Sequence, residues 1–87
     1  MKPYKRILKR TLNEMIYDVV DECFFVQITK EDKLEASEKL INEAADFQVG
    51  ILSSINKAKG KAEFRAIFLE VEGKTGYFID ALNTLNN

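Results

Sequence analysis

Residues 4–28 read YKRILKRTLNEMIYDVVDECFFVQI, and their apolar positions recur three and four residues apart. This spacing places the apolar side chains on one side of a helix, which predicts an amphipathic α-helix. The stripe has a period of about four rather than 3.6, so it winds slowly around the helix. We therefore expect packing partners on more than one side. The apolar positions are Tyr4, Ile7, Leu8, Leu12, Met15, Ile16, Val19, Val20, Cys23 and Phe24.

Two more segments, residues 30–57 and 61–85, also carry apolar residues at helical spacing. Long helices joined by short turns pack most simply in alternating directions. The sequence therefore predicts an all-α fold of one domain, residues 1–87, with three long helices over about 4–28, 30–57 and 61–85 in an antiparallel up-down-up bundle. The predicted inward positions are Leu34, Leu40, Ile41, Ala44, Ala45, Phe47, Ile51, Leu52 and Ile55, then Phe64, Ile67, Phe68, Val71, Phe78, Leu82 and Leu85.

Several residues mark the expected helix boundaries and interruptions. Thr29 followed by Asp32 resembles a capping box, so we expect Thr29 to cap the second helix. Gly60 indicates a tight turn before the third helix. Gly50 lies inside the second helix, where we expect a neighbouring helix to approach closely near Ala44, Ala45 and Ser54. The third helix is expected to continue through two glycines, Gly73 and Gly76.

Three features of the composition bear on cellular location. No stretch approaches the roughly 18 consecutive apolar residues of a membrane-spanning helix. The apolar positions after the basic N-terminus are interleaved with charged residues, which excludes a secretory signal sequence. Cys23 is the only cysteine, so no internal disulfide forms, which fits a reducing compartment. We expect a cytoplasmic protein without a membrane partner.

The sequence offers no catalytic set. The chain has no histidine, which removes the commonest general base and metal ligand. Cys23 has no predictable activating base and lies on the apolar stripe, so we interpret it as a small core residue. Residues 73–76 read GKTG, but a phosphate-binding loop needs a glycine at the position of Phe68. We predict neither an enzyme nor a cofactor.

Two acidic runs are the candidates for a metal site. Carboxylates four residues apart on a helix can hold a divalent cation. Neither run includes a glycine-bearing loop or a histidine, so we interpret both as solvated faces and predict no metal site. The runs are Glu14, Asp18, Asp21 and Glu22 in the first helix and Glu31, Asp32, Glu35 and Glu38 at the start of the second.

Nine of the thirteen lysines and arginines lie in two short clusters. Antiparallel packing of the first two helices would bring both clusters to one end of the molecule. A chain of net charge −1 would then have one strongly positive end. The first cluster is Lys2, Lys5, Arg6, Lys9 and Arg10, and the second is Lys57, Lys59, Lys61 and Arg65.

Helix dipoles distinguish the two clusters. The N-terminus of a helix favours acidic side chains and the C-terminus favours basic ones. Lys57 and Lys59 therefore suit the end of the second helix. The first cluster has the reverse order, because basic residues open the first helix, and like charges four residues apart add repulsion. Stability alone does not explain this order, whereas a polyanionic partner does.

Three interpretations of the positive end stay open: a nucleic-acid site, a site for an acidic protein surface such as the acidic end of another subunit, or no specific role. The first predicts phosphate contacts from Lys5, Arg6, Lys9, Arg10, Lys57, Lys59, Lys61 and Arg65. Aromatic residues on several faces also predict self-association; they are Tyr17, Phe25, Phe47 and Tyr77.

The second helix contains Ala44-Ala45, Val49 and Asn56, and the third begins Lys61-Ala62-Glu63-Phe64, followed by Ile67-Phe68 and Gly73. These motifs resemble the Avd-like family of small four-helix-bundle proteins. That family includes the accessory variability determinant proteins of diversity-generating retroelements and the bundle proteins encoded in 23S rRNA intervening sequences. The resemblance covers about residues 40–80 and leaves out the fourth helix.

The resemblance implies a non-catalytic, ring-like homo-oligomer that contacts a reverse transcriptase and binds RNA through basic residues, with another subunit or partner supplying the fourth helix. The combined prediction is an accessory protein that oligomerises and binds nucleic acid, with RNA favoured, at its positive end. The alternative is a helical protein–protein interaction module that docks a partner helix on an exposed apolar flank.

Overall fold

A computed structural model describes residues 4–87 of the chain. It contains α1 (Tyr4–Thr29), α2 (Leu34–Lys57) and α3 (Lys61–Asn86), with a 3₁₀ turn at Glu31–Lys33 between the first two. These residues include no strand, so the predicted all-α bundle of three long helices is confirmed. The connections at residues 30–33 and 58–60 are short, and neighbouring helices reverse direction across them.

Side-chain contacts fix how the helices lie along one another. Gln48 on α2 donates a hydrogen bond from Nε2 to Asn13 Oδ1 on α1, at 2.8 Å. Lys5 Nζ lies 3.4 Å from the carbonyl oxygen of Asn56, so the start of α1 lies beside the end of α2. α3 then runs parallel to α1, and the Tyr4 and Phe64 rings are 5.6 Å apart. The resulting rod measures 47 × 16 × 16 Å.

Each helix contributes one stripe to a single core. In α1 the buried positions follow a period close to 3.6 residues, so the stripe that faces the core is straight rather than winding. Phe78 is fully buried between the helices and packs edge-on against Phe47 and Tyr77. The buried residues of the three helices are Leu8, Leu12, Ile16, Val19, Cys23 and Val26, then Ser37, Leu40, Ala44, Ile51 and Ile55, then Phe64, Ile67, Val71, Phe78 and Leu85.

Some predicted core positions are exposed instead. Successive helical residues point about 100° apart, so only one residue of an adjacent apolar pair faces the core. The pairs at residues 7–8, 23–24 and 67–68 each bury one member and expose the other. The predicted apolar positions that lie exposed are Ile7, Phe24, Leu34, Ala45 and Phe68.

The prediction that Thr29 caps the second helix is wrong. Thr29 is the last residue of α1, and its hydroxyl donates a hydrogen bond to the carbonyl oxygen of Phe25, at 2.9 Å. The amide of Lys30 also bonds back to Val26, so the helical ladder runs through Thr29. A threonine in a helical conformation bonds the carbonyl four residues earlier instead of capping the next helix. α2 begins only at Leu34, without a side-chain cap.

The glycines have simpler roles than predicted. No atom of another helix lies within 4 Å of a Cβ built on Gly50, so the predicted close approach is wrong. α3 is continuous through Gly73 and Gly76, as expected. Gly60 precedes α3 as its N-cap residue, with φ −123° and ψ 162°, a conformation open to any residue.

We predict that Gly50→Ala, Gly73→Ala and Gly76→Ala each stabilise the fold by about 0.5–1 kcal/mol, because alanine loses less backbone entropy in a helix interior. Space is available for the added methyl group at all three sites. Urea unfolding followed by circular dichroism measures the change.

Gly60→Ala is the control, since glycine at an N-cap is as good as or better than alanine, and we expect no gain there. Destabilisation by Gly50→Ala would contradict this description of α2 and would indicate that a neighbouring helix does approach Gly50 closely.

Candidate nucleic-acid interface

The two basic clusters meet at one end of the rod, which we call the basic end. It consists of the side chains of Lys5, Arg6, Lys9, Arg10, Lys57, Lys59, Lys61 and Arg65. The contact of Lys5 with Asn56 joins the start of α1 to the end of α2, and Lys61 and Arg65 lie with Tyr4 along one groove. Lys9 is half-buried and the other seven side chains are exposed. Lys2, which was predicted to belong here, lies outside the described residues.

The basic end contains almost no compensating negative charge. Glu63 accepts a hydrogen bond from the backbone N–H of Lys59 at 3.1 Å and so helps to cap the start of α3. Glu70 on α3 lies level with Arg10, and the other twelve acidic residues lie farther along the rod, where the accompanying cations are Lys30, Lys33, Lys39 and Lys74. A chain of nearly zero net charge therefore has a large separation of charge along its 47 Å length.

The helix termini show which cations have a structural role. α2 has Glu35 in its first turn and Lys57 in its last, as its dipole favours. α1 has no acidic residue in its first turn and no basic residue in its last. Lys5 reaches the carbonyl oxygen of Asn56 near the C-terminus of α2, a favourable contact that the sequence did not predict. Arg6 and Arg10 are the other exposed cations of α1, and no contact with a helix C-terminus explains them.

A groove that the sequence did not predict lies beside the basic end. It lies between the starts of α1 and α3 and encloses about 340 Å³. Phe68 and Ile7 are 40% and 46% exposed there. The adjacent apolar pairs in the sequence indicate such a groove, because each pair must leave one side chain outside the core. The lining residues are Tyr4, Ile7, Leu8, Lys61, Phe64, Arg65 and Phe68.

A polar cluster in the middle of the rod holds α3 against α2. The Tyr77 hydroxyl donates a hydrogen bond to Glu43 Oε2 at 2.5 Å. This bond, together with partial desolvation and the charge of Glu43, raises the pKa of Tyr77 above its ordinary value. Lys74 Nζ lies 4.2 Å from the centre of the Tyr77 ring, within cation–π range. The phenol therefore stays protonated at neutral pH, and we interpret the cluster as structural.

Cys23 is fully buried in the core stripe of α1, as predicted. Burial, and secondarily the charge of Glu22, raises the pKa of its thiol, so the reactive thiolate is disfavoured. Among residues 4–87 no three histidine, cysteine, aspartate or glutamate side chains group in a way that suits a metal ion. None of the described helices is both long enough and apolar enough to cross a bilayer.

Comparison with family models, curated proteins and solved structures found no match for this chain.

We predict that Arg6→Glu stabilises the fold by about 1 kcal/mol at low ionic strength, because it replaces an unfavourable charge in the first turn of α1 with a favourable one. Thermal unfolding at low and high salt measures the effect, and screening by salt should shrink it.

Arg10→Glu makes the same change in net charge beyond the first turn, where the dipole effect has fallen off, so its gain should be smaller. A loss of stability with Arg6→Glu would show that Arg6 has a structural partner.

Proposed function

We propose that this chain is a non-catalytic accessory protein that self-associates and binds nucleic acid, with RNA favoured, through the basic end. One observation carries the proposal: eight cations, seven on the three helices and Lys59 in the connection before α3, share one end of the rod with two carboxylates, Glu63 and Glu70. Glu63 is already engaged by the backbone of Lys59. The positive charge of this end is therefore much larger than the negative charge beside it.

A polyanion suits this surface better than a single small anion does. Seven of the eight side chains are exposed and spread over the starts of α1 and α3, the end of α2 and the connection between α2 and α3. The 16 Å cross-section of the rod is as wide as about five phosphates of one strand, at roughly 3.4 Å each. Lysine and arginine contacts to phosphates release counterions, which supplies affinity that depends on salt.

The proposed contacts position the nucleic acid and read little sequence. Exposed lysine and arginine side chains bind phosphates through charge, and specificity requires contacts to base edges or to a defined shape. The preference for RNA and the candidate partnership with a reverse transcriptase rest on the resemblance to Avd-like proteins. The basic end itself supports binding of either nucleic acid.

We predict that changing Lys5, Arg6, Lys9 and Arg10 together to alanine weakens binding of a labelled single-stranded RNA by about tenfold or more, since four phosphate contacts and their counterion release are lost. Fluorescence anisotropy at about 50 mM salt measures the dissociation constant. These changes remove repulsion within α1, so we expect circular dichroism to show a helix content as high as that of the unaltered chain.

The matched comparison is Arg6→Ala/Arg10→Ala against Lys33→Ala/Lys39→Ala. Both pairs lower the net charge by the same amount, but Lys33 and Lys39 lie outside the basic end. Equal weakening by the two pairs would mean that only the total charge matters and would contradict a site at the basic end. RNA binding that neither pair changes would also contradict a site at the basic end.

A further inference from the structure

α1 and α3 run side by side and leave an open groove along the face that α2 does not cover. At the basic end this groove holds the exposed Ile7 and Phe68 beside Lys61 and Arg65. Farther along, it holds Ile79, which is 53% exposed, with Met15 and Leu82. The same stretch is bordered by three carboxylates, those of Glu14, Asp18 and Glu22. One face of the rod is thus apolar along its centre, basic at one end and acidic at the other.

The shape of the chain is typical of a subunit that has a partner. Its radius of gyration is 14.4 Å, whereas a compact chain of this length has about 12 Å. Its accessible surface is 6024 Å², against about 5,200 Å² for a compact monomer of the same mass. A thin rod of three helices therefore exposes apolar area that a thicker bundle would bury.

The charges along the groove are complementary to those of a second copy that runs in the opposite direction. Tyr4 lies beside Phe64, so Lys61 and Arg65 are level with the start of α1. Asp18 and Glu22 lie roughly 25 Å farther along, at about 1.5 Å per residue. A second copy in the same direction would place like charges together. A second copy in the opposite direction places the basic side chains of each chain opposite the acidic side chains of the other.

We infer that the α1–α3 face binds a second copy of this chain in an antiparallel, two-fold symmetric dimer. In such an isologous interface the same pairing occurs twice, so Lys61 and Arg65 of each copy face Asp18 and Glu22 of the other. The axis then passes near Thr11, a small polar residue midway along the groove. Ile7 and Phe68 of one copy then lie level with Met15 and Thr75 of the other, and Ile79 lies level with Tyr4.

The available area is sufficient for a stable dimer. A long face of 47 by 16 Å has a projected area on the order of 750 Å², and standard-size interfaces bury about 800 Å² per partner. An apolar centre with charged ends also matches the usual anatomy of such interfaces.

This inference rests on the self-association that the proposed function includes, and it leaves six of the eight cations of the basic end to bind phosphates. In the dimer Lys61 and Arg65 serve the interface, and the other six cations of each basic end stay exposed. The two basic ends then lie at opposite ends of the assembly, so one dimer presents two sites for phosphates.

A charge exchange tests the interface. One variant carries Lys61→Glu/Arg65→Glu and the other carries Asp18→Lys/Glu22→Lys; all four positions are exposed, and both variants should keep their helices. Each variant alone has like charges at both ends of the groove, so we expect its dimer to dissociate about tenfold more readily or worse. An equal mixture restores opposite charges at both ends, and we expect a heterodimer. Sedimentation velocity at about 100 μM detects a dimer with a Kd of about 10 μM.

Val49→Glu is the control, since Val49 is an exposed apolar residue of α2 outside the groove, and its dimer should be unaffected. A monomeric unaltered chain, or a mixture that does not reassociate, would overturn the inference. A dimer that survives in both separate variants would also overturn it while leaving self-association intact. RNA binding by the monomeric Asp18→Lys/Glu22→Lys variant, which retains all eight cations of the basic end, reports on the proposed function separately.

Discussion

The structure depends on the register in which α1 packs antiparallel to α2. The core stripe of α1, from Leu8 to Val26, is buried only if α2 lies along it in one position. Two polar contacts mark that position: Lys5 with Asn56 and, eight residues farther along each helix, Asn13 with Gln48. The short connection at Ala58–Gly60 then starts α3 beside the start of α1. Both basic clusters meet because of this register.

The helix count, the all-α class and the buried Cys23 could be predicted from the sequence, because apolar spacing reports directly on which helical side faces a core. The shared end of the basic clusters could be predicted from the short connections alone. The position of Thr29 inside α1 could not be predicted, since the same hydroxyl can bond either forward as a cap or back to Phe25. The space around Gly50 depends on how far apart the helices lie, which the sequence of one helix does not determine.

The groove between α1 and α3 is a second feature that the sequence alone does not predict. The apolar pairs at residues 7–8 and 67–68 indicated burial, but three thin helices cover only one side of each pair. Whether the outer residue remains exposed depends on the total number of helices in the assembly. Exposed apolar residues and an unfavourable charge order in α1 both reduce the stability of an isolated chain. In a protein that binds partners, such departures from local stability are expected at the binding surfaces.

The central claim is that the basic end binds nucleic acid through phosphate contacts, and the salt dependence of binding tests it most directly. The dissociation constant of the unaltered chain for a single-stranded RNA is measured across a range of salt concentrations. Each neutralised phosphate of a single strand contributes about −0.7 to the slope of log affinity against log salt, so four to six contacts predict a slope of about −3 to −4. A slope near zero, or no binding at about 50 mM salt, would contradict the account.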